Sequence, residues 1–301
     1  MSKTQLVDLT PTLVTYPSGS CRDDAIVLHV MTDPRTGTGQ RLLVVTDVTP
    51  FHPLDSLWPD QPADHGQLLV GGEAYPVSDT VTIAQRAGGP VMVDEAIDAR
   101  RGEPGVLFLV AHVLKATSLG GLGVGTRVTL AVDAARRLRL SAAHTSCHLL
   151  AYAFNQETQD LWKKPTSLDS RGYHNLDAAS CVFTQHDVGG SLDKYRLGKS
   201  LRKRGFDSPR FVEEIPSIIG GVNRTLAKWI ESDAAVRIDC AGPLLTDWRQ
   251  WVCDLPGGSA FMPCGGTHVQ RLRQIHTMTA VASFDAAAGI LAIRNEVRVA
   301  A

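Results

Sequence analysis

Residues 1–140 are cut into short runs of branched side chains, a pattern that reads mainly as short strands separated by turns. Val27–Val30, Arg41–Thr46, Gln67–Val70, Val81–Ile83, Val106–Val113 and Val128–Val132 are rich in Val, Leu, Ile and Thr and are bounded by Gly, Pro or Asp. Branched side chains fit a pleated surface and the bounding residues suit turns, so these runs predict strands. A β-rich domain, barrel-like or sandwich-like, is expected over residues 1–138, interrupted by a short helix near Val93–Arg100.

The pattern changes at Ser141, a suitable helix N-cap, after which Leu149, Leu150, Ala153 and Phe154 follow at helical spacing without a breaker. Pro216–Glu231 predicts a second helix, with proline in its first turn and an apolar stripe of Ile218, Ile219, Val222, Leu226, Trp229 and Ile230. Thr277–Phe284 and Ile290–Val297 alternate on either side of Asp285–Gly289, which predicts an antiparallel hairpin. The expected class is α+β: a β-rich first domain, then an α/β sandwich with an antiparallel sheet over residues 139–301, the boundary falling near 134–140.

A chain of 301 residues with 44% apolar and 20% charged side chains has the balance of a folded protein with a sizeable core. Met1–Gln5 lacks a basic segment followed by an apolar stretch, and no window approaches 18 uninterrupted apolar residues, so neither secretion nor membrane insertion is expected. The six cysteines, Cys21, Cys147, Cys181, Cys240, Cys253 and Cys264, are irregularly spaced, which suits a reduced, cytoplasmic protein. With 30 Lys+Arg against 31 Asp+Glu the formal charge is −1, so any RNA contact must come from a local patch.

Candidate chemistry starts with His144-Thr145-Ser146-Cys147-His148. Residues four apart on a helix share a face, so both imidazoles can reach one ion. Pro263-Cys264-Gly265-Gly266-Thr267-His268 supplies a thiolate and a third imidazole, with two glycines that allow a tight turn between them. His144, His148, Cys264 and His268 make a donor set suited to zinc. Either pair alone is common by chance; the two together need context.

Context comes from wider similarity. The H-x-x-x-H motif at His144–His148 and the run Cys264-Gly265-Gly266-Thr267-His268-Val269 resemble the alanyl-tRNA editing proteins. These are freestanding relatives of the alanyl-tRNA synthetase editing domain, which itself resembles that of threonyl-tRNA synthetase. Thr49-Pro50-Phe51-His52-Pro53, followed by Gln61 and Asp64 within Leu57–Gly66, resembles the family's T-x-F-Y-P and G-G-G-Q segments, although the glycines are absent. Ile219–Asn223 is similar to the family's segment ending in V-N, and the likeness spans roughly residues 40–298. It implies zinc at His144, His148, Cys264 and His268, and an amino-acid pocket lined by Thr49, Gln61 and Asp64. It further implies hydrolysis of an aminoacyl-tRNA that carries the wrong small amino acid. Family members clear serine or glycine from alanine tRNA, and a specialised branch, the fluorothreonyl-tRNA deacylases, clears fluorothreonine from threonine tRNA. The missing glycine loop points towards such a branch and a threonine-like substrate.

Ester hydrolysis needs an activated water, a polarised carbonyl and a stabilised oxyanion. Four protein ligands fill a tetrahedral shell, so either one ligand is loose, or the ion expands to five coordinates, or zinc only anchors the substrate while a nearby group positions the water. The favoured role is that zinc binds or orients the aminoacyl group, with the backbone N–H groups of Gly265 and Gly266 available for the oxyanion. Cys147, His174, Cys181 and His186 are further ligand or acid–base candidates, each more simply read as packing or surface.

From Lys194 to Arg204 the chain carries six cations, Lys194, Arg196, Lys199, Arg202, Lys203 and Arg204, and no acid. Such a cluster suits phosphate contacts, and Tyr195 or Phe206 suits stacking on an unpaired base at the tRNA 3′ end. Two further functions fit the sequence: a zinc hydrolase of small esters or amides without an RNA partner, and a binding module with structural zinc. Nothing resembles an ATP-binding activation domain, so editing is expected to act in trans, without a long C-terminal extension.

Overall fold

Strand pairing accounts for most of the first part of the chain in the computed structural model, which describes residues 9–36, 41–54, 61–115 and 121–300. Met1–Gln5 and Leu57–Asp60, used in the sequence reading, lie outside the described residues. Among the described residues the fold is α+β, with mostly antiparallel sheets and few helices. The chain divides into two compact units.

The first unit comprises Met1–Arg137, Cys240–Arg249 and Gly265–Thr267. Its strands are β1 (Leu13–Val14), β2 (Arg22–Thr32), β3 (Arg41–Thr46), β4 (Val48–Thr49), β5 (Gly66–Val70), β6 (Glu73–Val77), β7 (Asp79–Arg86), β8 (Val91–Val93), β9 (Val106–Lys115) and β10 (Arg127–Val132). Eight of them form one antiparallel sheet in the order β6-β5-β10-β2-β3-β9-β7-β8. Leu43, Val44 and Val45 in β3 are all fully buried, because alternate side chains enter different apolar clusters. Burying each contributes about 1.5–3 kcal/mol.

The β-rich first unit is as expected, although among the described residues its sheet order runs from β6 to β8 with no closed barrel. One expectation is corrected here. The helix expected near Val93–Arg100 is a single 3-10 turn at Asp94–Ala96, bounded by extended Val93 and Ile97.

The second unit comprises Leu138–Asp239, Gln250–Cys264 and His268–Ala301. Helix α1 (Ala134–Glu157) begins in the first unit and continues through the second, and α2 (Leu176–Ser180), α3 (Lys199–Lys203) and α4 (Ser208–Glu231) follow. The strands β11 (Cys181–Asp187), β12 (Gly190–Arg196), β13 (Val236–Cys240), β14 (Arg249–Cys253), β15 (Ala260–Pro263), β16 (Ile275–Asp285) and β17 (Ile290–Val299) form a four-stranded antiparallel sheet, β11-β12-β17-β16, and a three-stranded sheet, β13-β14-β15. The inner face of the four-stranded sheet, with Tyr195, Met278, Ala280, Leu291 and Ile293, shares one core with Leu150, Phe154, Val222 and Leu226 of the long helices.

Both helix starts precede the expected ones. Asp133 accepts a hydrogen bond from Arg136 N at 2.9 Å and caps α1 ahead of Ser141, which sits inside the helix. Asp207 caps α4 with Pro209 in its first turn, while Pro216 lies exposed within the helix. Gly221 lets the helices meet, since a Cβ there would stand 2.0 Å from a Glu157 carboxylate oxygen. Asn223 grips β16 by accepting from Ala280 N at 2.7 Å and donating to Ala280 O at 2.9 Å. The C-terminal hairpin pairs Asp285 with Ile290 as the alternation predicts.

Candidate metal centre

Helix α1 fixes the first two candidate ligands, because Leu149, Leu150, Ala153 and Phe154 anchor one of its faces in the core. Four residues apart, His144 and His148 meet edge-on at 4.8 Å between ring centroids and are 2% and 8% exposed. Strand β15 leads into the third, Cys264, and His268 follows four residues later. The last residue of the strand, Pro263, is still paired with Gln250, and the chain then leaves the sheet at Cys264.

The four side chains converge. One ligand atom from each of His144, His148, Cys264 and His268 lies within 4.8 Å of all the others, a cluster that could hold a metal ion. Cys264 Sγ is 3.4 Å from His144 Nε2 and 3.2 Å from His268 Nε2. Burial, then the neighbouring His144 and His186, hold the pKa of His148 well below its ordinary value, so its imidazole is neutral and keeps the one bare nitrogen a metal needs. Its Nδ1 is buried without a hydrogen-bond partner. A bound cation compensates for such a dehydrated donor set, so the residues fit a metal.

Neighbouring groups complete the setting. Thr145 Oγ1 stands 3.1 Å from His268 Nδ1 and accepts from Val269 N at 3.2 Å. Buried Trp251 meets His148 edge-on at 4.8 Å. His186 stacks 4.5 Å from His144 but is not one of the four clustered residues. The other candidates are placed elsewhere: Cys147 Sγ is 3.4 Å from Asp193, His174 Nδ1 is 3.0 Å from Thr166 Oγ1, and Cys181 lies 3.4 Å from Thr184 Oγ1.

The three residues between Cys264 and His268 belong to the first unit. Within it, Gln61 Oε1 accepts from Thr267 N at 3.0 Å and Gln61 Nε2 donates to Thr267 Oγ1 at 2.8 Å, both residues being buried. Neither Gly265 nor Gly266 has a positive φ, and a Cβ at Gly265 would meet Arg101 at an ordinary 3.7 Å. Neither residue thus has a left-handed φ that would require glycine.

Thr49 and Asp64 are also in the first unit, and both are fully buried. His112 donates from Nδ1 to Val44 O at 3.0 Å, which leaves Nε2 to accept from the Thr49 hydroxyl at 2.8 Å. Thr49 in turn accepts from Phe51 N at 3.0 Å. Asp64 accepts from His52 N at 2.6 Å and forms a buried ion pair with Arg137, whose guanidinium also donates to Pro50 O at 2.7 Å. Burial, reinforced by Arg137, Arg101 and Arg249, lowers the His52 pKa to about 3. Burial lowers that of His112 to about 4. Neither partner network was visible in the sequence: Arg137 lies at the predicted domain boundary, and His112 in a predicted strand.

The basic stretch is split by its secondary structure. Lys194 lies 5.0 Å over the Phe183 ring, whereas Arg196, Lys199, Arg202, Lys203 and Arg204 are exposed around α3. Tyr195 and Phe206 are 1% and 3% exposed, so the expected base stacking is overturned: both rings are part of the core.

No protein-family model matches the chain. It is similar to alanine–tRNA ligases: 28% identical over 263 residues to that of Bordetella petrii, which covers 85% of this chain and 24% of the relative. The Akkermansia muciniphila enzyme is 32% identical over 152 residues, 50% of this chain and 13% of the relative. That of Chloroflexus aurantiacus is 27% identical over 205 residues, 68% of this chain and 17% of the relative. The chain thus spans about a quarter or less of the length of the curated relatives it matches. No helix among the described residues is long and apolar enough to cross a membrane.

Proposed function

We propose that the chain is a trans-acting aminoacyl-tRNA deacylase, which hydrolyses the ester between a tRNA and a non-cognate small amino acid. The observation that carries this reading is the convergence of His144, His148, Cys264 and His268 within a chain similar to alanine–tRNA ligases. In the reaction water adds to the ester carbonyl, the acyl C–O bond breaks, and the ribose oxygen leaves with a proton.

His144, His148, Cys264 and His268 hold zinc, since imidazole nitrogen and thiolate sulfur in a compact four-atom set match its preference. When bound, zinc supplies a positive charge that anchors and polarises the aminoacyl group. The backbone N–H groups of Gly265 and Gly266 are assigned to the oxyanion. Gln61 holds the tripeptide that carries them through its two bonds to Thr267. Thr49, Gln61 and Asp64 are assigned to the amino-acid pocket; within the first unit their polar atoms are also engaged by His112, Phe51, Thr267, His52 and Arg137.

Lys194, Arg196, Lys199, Arg202, Lys203 and Arg204 are assigned to the tRNA backbone. Five of them are exposed, while the neighbouring cations Lys163 and Arg210 are already paired with Asp207 and Glu214. The amino acid removed is threonine-like, such as fluorothreonine on threonine tRNA, or serine or glycine on alanine tRNA.

The test presents purified protein with threonine and alanine tRNAs charged with threonine, fluorothreonine, serine, glycine or alanine, and measures amino-acid release. Release of one non-cognate amino acid in preference to its cognate supports the proposal. Release of none refutes it, and hydrolysis of small esters alone would favour a hydrolase without an RNA partner.

A further inference from the structure

We infer that Thr145 is a positioning residue for the metal site: its hydroxyl holds the His268 ring so that Nε2, not Nδ1, is the ligand atom. The inference rests on reading the four-residue cluster as a metal centre.

Three residues separate the two histidines of α1, and the helix sends them in different directions. Ser146 donates to Ala143 O at 2.7 Å, and Cys147 directs its sulfur to Asp193 at 3.4 Å. Thr145 is the one that reaches His268, with Oγ1 3.1 Å from Nδ1. Fully buried, its hydroxyl is held between the Val269 backbone N–H and the His268 ring.

The opposite ring nitrogen completes the geometry. His268 Nε2 stands 3.2 Å from Cys264 Sγ, which is itself 3.4 Å from His144 Nε2, so this edge of the ring faces the cluster. A neutral imidazole carries one proton, and a nitrogen that binds metal must be the bare one. An Nδ1–H donating to Thr145 Oγ1 leaves Nε2 bare. The Thr145 oxygen has capacity for this while accepting from Val269 N at 3.2 Å, so a single hydroxyl ties both the ring and the backbone after it to α1. Partners of this kind set the tautomer and orientation of metal-binding histidines, and their loss typically weakens metal binding about 10–100-fold.

Two measurements on the full chain test the inference. Long-range 1H–15N spectra of the zinc-loaded wild type read the His268 tautomer directly; Nε2 ligation with a proton on Nδ1 is expected, and Nδ1 ligation overturns it. Zinc affinity is then measured by chelator competition for wild type, Thr145→Val and Thr145→Ser. The valine variant should bind about 10–100-fold more weakly, while serine, which restores the oxygen, should stay within a few-fold of wild type. A valine variant that melts earlier but keeps wild-type affinity would reduce Thr145 to packing. A wild type that binds no zinc would instead refute the metal-site reading beneath the inference.

Discussion

Gln61 holds Thr267 at two points, its carbonyl oxygen receiving the Thr267 backbone N–H at 3.0 Å and its amide nitrogen donating to the hydroxyl at 2.8 Å. Thr267 is 2% exposed, so no water replaces a lost partner. Gln61→Ala is expected to destabilise the protein by about 1–3 kcal/mol, the cost of an unsatisfied buried donor. Gln61→Glu keeps an acceptor for both Thr267 groups and should lose less. Urea unfolding of the two variants measures the difference.

Asp64 and Arg137 form the most buried ion pair described, with side chains 1% and 5% exposed. Removing one partner strands the other charge, so Asp64→Ala should cost about 3–5 kcal/mol. Asp64→Leu combined with Arg137→Met should recover part of that loss. A double variant no more stable than Asp64→Ala would show that the pair is not the cause.

Acid should loosen the fold before the carboxylates titrate. His52 and His112, with pKa values lowered to about 3 and about 4, stay neutral when folded but take up protons when unfolded. The unfolded state therefore binds more protons below pH about 6.5, and stability falls as pH drops from there towards 4. Each histidine contributes a slope of about 1.4 kcal/mol per pH unit. Unfolding free energies between pH 7 and 4.5 should show this slope, reduced by one proton in His112→Gln.

Contact between the basic stretch and phosphate predicts a salt effect. Arg202→Ala with Lys203→Ala should weaken tRNA binding and lower the slope of log affinity against log salt by about 2, roughly one per lost phosphate contact. Binding titrations at several salt concentrations give the slope. An unchanged slope assigns these side chains to solvent.

Cobalt in place of zinc gives the centre a visible spectrum. Thiolate ligation by Cys264 predicts a sulfur-to-cobalt charge-transfer band that disappears in Cys264→Ser. Adding a substrate analogue should shift the visible bands if the aminoacyl group meets the metal, and an unchanged spectrum argues against direct contact.

Local signals carried some parts of the fold and missed others. Branched runs marked β3 and β9 because burial and propensity agree there, and the hairpin was legible from Asp285 and Gly289. The start of α1 was missed because Arg136, Arg137 and Arg139 give its first turns a charge that the helix dipole disfavours; Asp133 and the buried Asp64 offset it. Sheet closure depends on whether β6 and β8 pair, which neither segment encodes alone. In the site, spacing identified the four clustered residues, but Thr145 was passed over inside the same motif. Its role depends on a ring 123 positions away in sequence.

The four clustered side chains hang from a helix and a strand end that the apolar core holds in place. Small zinc modules fold around their ion and collapse without it. Here the chelating groups are preorganised, so stripping the ion with EDTA should leave a vacant but standing seat that any divalent ion of suitable softness can re-enter. On the proposed reading of the cluster as a metal site, the ion it takes in a cell would follow from metal availability and exchange kinetics as much as from the polypeptide.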